Sequence, residues 1–261
     1  MENKDYYSKL PLTNKKVIVV TDIHGNLDDF KYYLDLWLQN TSDYIIFTGD
    51  LIHADTLEED YSLEILDLVD EYIGDPHFIV LLGNHEWAQL EGSDAYKYGV
   101  NQVESFKKLV EDKYPDDYTC KYTYYLNILK KFKYFAVTSN GFFIIHGGIH
   151  EDYIDSIVNR DVDIYDLDIF KRRYEYDFLT ECLWARQYVD FTEDSIRKFL
   201  DCTGLDYIIS GHTVNNGCHI IGDQLIFDSS YNTENKYFLL LYLDSYYRSI
   251  VHVLKRLFPM K

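Results

Sequence analysis

Val17-Ile18-Val19-Val20-Thr21-Asp22-Ile23-His24-Gly25-Asn26 is an apolar run that stops abruptly in an acid, an imidazole and a glycine. Nothing polar interrupts Val17 to Val20, so the run predicts a strand buried on both faces. Leu27, Phe30, Leu34 and Trp37 then recur at helical spacing, with Asn26 as N-cap and Asp28 and Asp29 in the first turn. Tyr44-Ile45-Ile46-Phe47-Thr48-Gly49-Asp50 repeats the pattern, as does Phe78-Ile79-Val80-Leu81-Leu82-Gly83-Asn84-His85-Glu86. Phe142 to Ile145 runs into His146-Gly147-Gly148, and Tyr207 to Ser210 into Gly211-His212-Thr213. Each run delivers an oxygen or nitrogen ligand at its carboxyl end, beside a glycine that lets the backbone turn tightly. Five such endings predict ligands gathered along one rim of a sheet, where loops carry function.

The rest of the chain fills in around these runs. Strands alternate with helices as far as Gly83, Leu63, Leu66, Val69 and Ile73 marking one helix face, which implies a mostly parallel sheet. Residues 87–132 are helical and charged, with Val103, Phe106 and Val110 on one face and a break at Tyr114-Pro115-Asp116-Asp117. Tyr134 to Ile145 reads as a hairpin turning at Asn140-Gly141, so antiparallel pairing begins there. Residues 151–176 read as a loop with short helices, and Ile196, Phe199 and Leu200 as a helix. The tail reads as strands over Cys218 to Ile221, Gln224 to Phe227, Tyr237 to Tyr242 and Ser249 to Leu254. The expected architecture is α/β (α+β): two packed sheets with helices outside, in one domain spanning 1–261.

Composition narrows the function. A chain of 261 residues with 47% hydrophobic content can bury a substantial core. A formal net charge of -19 argues against a general binder of nucleic acid or anionic membranes, because such a binder needs a basic face. A site that handles phosphate must then draw positive charge from metal. Cys120, Cys182, Cys202 and Cys218 form no paired motif and read as buried free thiols in a reducing cytoplasm. The first residues lack a secretion signal, and no apolar run approaches the roughly 20 residues that span a bilayer.

The order D-x-H-G, G-D, G-N-H-E, H-G-G, G-H-T, running from Asp22 to His212, resembles the calcineurin-like metallophosphoesterase superfamily. The H-G-G and G-N-H-E forms are most similar to its phosphoprotein (serine/threonine) phosphatase branch and to the bacterial diadenosine tetraphosphatases. The resemblance implies a four-layer sandwich of two mixed sheets flanked by helices, with residues 87–132 as a helical cap. It also implies two divalent ions, one held by Asp22, His24 and Asp50, the other by Asp50, Asn84, His146 and His212, with Asp50 shared. Such nitrogen and oxygen donors suit Mn, Fe or Zn better than Ca. In the resembled branch a metal-bridging hydroxide attacks phosphorus, and the histidine at the position of His85 protonates the leaving alkoxide. Imidazole titrates nearest physiological pH and suits that task independently. His77, His219 and His252 read as structural, the last two within strands, while His150 lies near enough to the His146 loop to meet substrate.

The second motif departs from the branch, in which it continues G-D-x-x-D-R-G. His53 stands where the aspartate that orients the catalytic histidine would be, and Ala54 where the phosphate-gripping arginine would be. An imidazole is not expected to orient and charge-stabilise a neighbouring histidine as a carboxylate does, and alanine donates nothing. Asp55 is the candidate to orient His85 instead, and Arg186, in Trp184-Ala185-Arg186-Gln187, the candidate phosphate clamp. The function that the resemblance implies is phosphomonoester hydrolysis on a phosphorylated protein. Cleavage of a dinucleoside polyphosphate or other small phosphoester is the alternative. A metal-bound scaffold without useful turnover is the contrasting reading, disfavoured by the presence of a proton donor that a scaffold does not need.

Overall fold

Val17 and Val19 face one way and Ile18 and Val20 the other, and all four are fully buried in β2 (Lys16–Val20) of the computed structural model. The structure describes residues 6–54, 59–97, 99–158, 178–230 and 233–261. Val17 and Val19 join Ile46, Ile79, Phe142, Ile144, Ile209 and Leu225 in a core between two sheets. Ile18 and Val20 join a second core with Phe30, Leu34, Leu66 and Val69 of the overlying helices. Because successive strand residues point to opposite faces, a strand clothed on both sides needs an unbroken apolar run. That explains the lack of alternation in the sequence.

The first sheet has the order β13 (Leu257–Pro259), β12 (Tyr237–Tyr242), β2, β3 (Tyr44–Phe47) and β4 (Phe78–Val80). β2, β3 and β4 are parallel, connected through α1 (Leu27–Leu38) and α2 (Ser62–Tyr72), whereas β12 runs antiparallel to β2. The second sheet has the order β1 (Tyr7–Leu10), β7 (Phe135–Thr138), β8 (Phe142–Ile145), β9 (Tyr207–Ser210), β11 (Gln224–Phe227) and β10 (Cys218–Ile221). Here β8 and β9 are parallel and β7–β8 is the expected hairpin, with Gly141 at φ +93° in its turn. Helices α6 (Glu151–Val158) and α8 (Glu193–Thr203) accompany this sheet, and Phe199 packs on Phe143 with ring centroids 5.0 Å apart. Two mixed sheets flanked by helices make the four expected layers.

Between β4 and β7 come α3 (Asn84–Glu91), the short hairpin of β5 (Tyr96–Lys97) and β6 (Val100–Asn101), α4 (Gln102–Lys113) and α5 (Tyr118–Leu129). Helix α7 (Phe178–Trp184) precedes α8. No helix among the described residues is long and apolar enough to cross a membrane.

Three sequence expectations are corrected. Residues 249–254 are not a strand: Ile250–Leu254 forms α9, with Ile250 and Val253 buried and Val251 and His252 turned outward. Five residues rich in β-branched side chains satisfy both periods, and the i, i+3 burial pattern decides. The segment before β2, for which the sequence predicts no element, forms β1, an edge strand whose Ser8 and Leu10 face inward. Only Cys182 of the four free thiols is buried.

Candidate metal centre

The five ligand-bearing runs end on a common rim because β2, β3 and β4 point one way in one sheet and β8 and β9 run together in the other. The backbone bends sharply there. Asp22, His24, Asp50 and His212 all have positive φ, between 20° and 63°, as does His53 at 65°. Non-glycine residues resist this region, and such strain persists where surrounding contacts over-determine it. Gly211 lets the strands meet: a Cβ there would lie 2.0 Å from Asp22 Oδ2.

The six predicted ligands are brought into one buried volume, from 0% exposed at His146 to 8% at His212. His146 Nε2 lies 2.9 Å from Asn84 Oδ1, 3.2 Å from His212 Nδ1 and 3.4 Å from Asp50 Oδ2. One imidazole nitrogen carries at most one proton and cannot bond three such partners; four donor atoms facing one another fit a cation. On the other side of the same Asp50 Oδ2, His24 Nε2 is 3.6 Å away and His85 Nε2 3.9 Å. His24 Nδ1 contacts the His53 carbonyl at 3.0 Å, which fixes the ring with Nε2 toward Asp50. Asp22 sits differently. Two groupings of ligand atoms share Asp50, one with His24 and His85 and one with His146 and His212; Asp22 falls outside both, and its two oxygens accept the His212 amide at 3.1 and 2.9 Å.

Electrostatics bear the mark of this crowding. Burial and the Asp50 charge raise the Asp22 carboxyl to about 7, while His146 holds it down. Burial would raise Asp50 as well, but His146, His85 and His24 outweigh it and hold Asp50 well below the carboxylate range. His146 is raised to about 9 by Asp50 against the cost of burial, whereas burial lowers His85 and His212 well below the ordinary imidazole value. Divalent metal binding favours ionised carboxylates and neutral imidazoles together, so a cation suits this donor set.

A model of the calcineurin-like phosphoesterases matches residues 15–216, which include all six candidate ligand positions. The chain belongs to the calcineurin-like phosphoesterase family. It is therefore a metal-dependent phosphoester hydrolase. The fold is similar to a protein serine/threonine phosphatase from Saccharomyces cerevisiae (TM-score 0.66, 15% identity, 97% of this chain and 82% of that one). It is also similar to a cold-active protein-tyrosine phosphatase of a Shewanella species (TM-score 0.62, 18% identity, 91% and 78%). A structure described as a proposed diadenosine tetraphosphatase matches with TM-score 0.50 and 17% identity over 90% and 91%. No curated protein matches the chain in sequence.

In this phosphoesterase His85 follows Asn84 in the first turn of α3, its side chain 11% exposed and its Nε2 3.9 Å from Asp50 Oδ2. Arg186 is exposed beyond α7, and its charge contributes to the lowering of His212. Trp184, 39% exposed, presents its ring at right angles to His212, centroids 6.2 Å apart. His150 lies instead among Asp152, Glu181 and Asp190, at 3.8 to 3.9 Å. Asp55 lies outside the described residues.

Two site residues escaped the sequence reading. Glu86 is fully buried and accepts four backbone N–H groups, from Gly83, Asp50, Leu51 and Ile52 at 2.7–3.2 Å. Glu86 reaches back to the Gly83 N–H as the glutamate of a capping box does, but Gly83 has no side chain to complete the pair, so the sequence held only half of that signal. His53 is the second. Its position was noted in the sequence, but its contact was not: His53 Nδ1 meets His85 Nδ1 at 2.9 Å, where Asp55 was the residue expected to orient His85.

Proposed function

We propose that this phosphoesterase hydrolyses phosphomonoesters of the phosphoserine or phosphothreonine kind, with His85 as the proton donor. The observation that carries this reading is the placement of His85: one ring nitrogen faces Asp50, the other His53, and the side chain, beside the candidate ligand Asn84, keeps 11% of its surface open to solvent. Asp22, His24 and Asp50 would hold one divalent ion of the Mn, Fe or Zn type, and Asp50, Asn84, His146 and His212 a second. When bound, such a pair polarises a phosphoryl oxygen and lowers the pKa of coordinated water. His85 gives its Nε2 proton to the departing oxygen, and Arg186 pairs with the phosphate.

His85→Ala is expected to lower kcat about 10²–10⁴-fold, the usual contribution of general acid–base catalysis, with metal content unchanged on elemental analysis. Metal lost in proportion to activity would instead make His85 a ligand. Arg186→Ala is expected to raise KM for a phosphoester roughly tenfold, the value of one charge-assisted contact at an exposed position, and to leave the metals in place. Unchanged kinetics would return Arg186 to the surface.

The absence of an arginine at Ala54 and the exposed Trp184 beside His212 favour a second reading, hydrolysis of a dinucleoside polyphosphate with a base against the indole. Turnover of a phosphopeptide, an aryl phosphate, a bis-aryl phosphate and a dinucleoside tetraphosphate, each with added Mn, separates the two.

A further inference from the structure

We propose that His53, fixed in one tautomer by Gln89, is the positioning residue that orients His85 for proton donation. It would do so without a carboxylate. The inference rests on the reading of His85 as the proton donor.

Three contacts carry it. His53 Nε2 lies 3.0 Å from Gln89 Oε1, His53 Nδ1 lies 2.9 Å from His85 Nδ1, and Gln89 Nε2 donates to the Tyr122 hydroxyl at 2.7 Å. Gln89 follows His85 by four residues on α3, so both face the same side of that helix and His53 bridges them. The His53 ring has no freedom to turn away. It is 1% exposed, its ring centroid is 5.9 Å from that of Phe106, and its own backbone N–H donates to Ser62 Oγ at 2.9 Å. A buried imidazole contacting an amide and another imidazole is neutral and carries one proton.

The position of that proton decides what His85 can do. With the proton on Nε2 and donated to Gln89 Oε1, His53 Nδ1 presents a lone pair and accepts from His85 Nδ1–H. His85 Nε2 is then directed at Asp50 and the cage. Neutral, with its Nδ1–H resting on His53, His85 takes up at Nε2 the proton of the phosphate monoester's own hydroxyl and passes it to the leaving oxygen, which departs as an alcohol. It ends the turnover as the same neutral imidazole whose Nδ1–H still rests on His53. The reverse arrangement, with His53 donating from Nδ1, leaves His85 with a single proton on Nε2. Giving it away would create an imidazolate, which is too basic for the task. Only the first arrangement closes the cycle.

His53 also contacts His24 through its carbonyl, so one residue fixes both a candidate ligand and the proton donor. Its φ of 65° allows the carbonyl and the ring to face these two partners.

The test uses the metal-loaded protein and two measurements. The first is the ratio of kcat on an alkyl phosphate, whose leaving group needs a proton, to kcat on 4-nitrophenyl phosphate, whose leaving group does not. Gln89→Leu is expected to lower that ratio by about 10–100-fold, part of the range general acids supply, while Gln89→Glu, which keeps the acceptor, stays within a few-fold of wild type. His85→Ala should lower the ratio at least as far. The second is 15N NMR of the zinc-loaded wild type, expected to show His53 protonated at Nε2. This needs no variant and decides the question even where Gln89→Leu does not fold. A His53 protonated at Nδ1, or Gln89→Leu slowing both substrates equally, overturns the proposal while His85→Ala still lowers the ratio. If His85→Ala leaves the ratio unchanged, the assignment of His85 fails and this inference fails with it.

Discussion

Replacing Asp50 with alanine is expected to empty both cation positions and abolish phosphoesterase activity. Its Oδ2 is the atom common to the two groupings, 3.4 Å from His146 Nε2 and 3.6 Å from His24 Nε2. Removing an outer partner of a metal ligand costs roughly 10–100-fold in affinity or activity, and loss of the shared ligand itself should exceed this. Elemental analysis should show the metal-to-protein ratio falling toward zero. Asp22→Ala offers the contrast: Asp22 lies in neither grouping, so one ion should be weakened and the other kept. A protein that retained two ions without Asp50 would remove the basis for a shared site.

The site was legible because each ligand is encoded locally, one to four residues beyond a buried strand, and strand burial leaves an unbroken apolar run. The sandwich was legible for the same reason. What the sequence hid lies across the chain. Residue type alone sets His53 against a carboxylate, whereas its effect comes from Gln89 on another element, a partner 36 residues away. The i, i+4 spacing of His85 and Gln89 was readable, but nothing local says that the loop after Asp50 lays an imidazole between them. Short edge elements were hidden for another reason. β1 is four residues long with only Ser8 and Leu10 buried, while β13 buries no residue fully and ends in Pro259, which an edge strand tolerates. Ile250–Leu254 was too brief for periodicity to separate helix from strand.

Glu86→Ala should be the most destabilising single change at the site. The carboxylate sits fully buried where the loops after β3 and β4 meet; Oε1 accepts from Leu51 and Ile52, Oε2 from Asp50 and Gly83. Burial raises its carboxyl to about 7, and the backbone amides of Asp50 and Ile52 act in the opposite sense. Alanine leaves four buried N–H groups without an acceptor. At about 1–3 kcal/mol for each buried group left unsatisfied, and with water entering to replace some of the bonds, a net loss of about 3–5 kcal/mol is expected. In a chain of this size that corresponds to a fall in Tm of roughly 6–20 °C. Glu86→Gln would be scarcely better, since an amide turns a donor toward donors. Measured on metal-free protein, so that metal loss does not contribute, a melting point within about 2 °C of wild type would show that water replaces the carboxylate fully. If the fall is as large as expected, Asp50 has lost the anchor of its own backbone. Metal affinity should then drop in Glu86→Ala although no ligand has been touched.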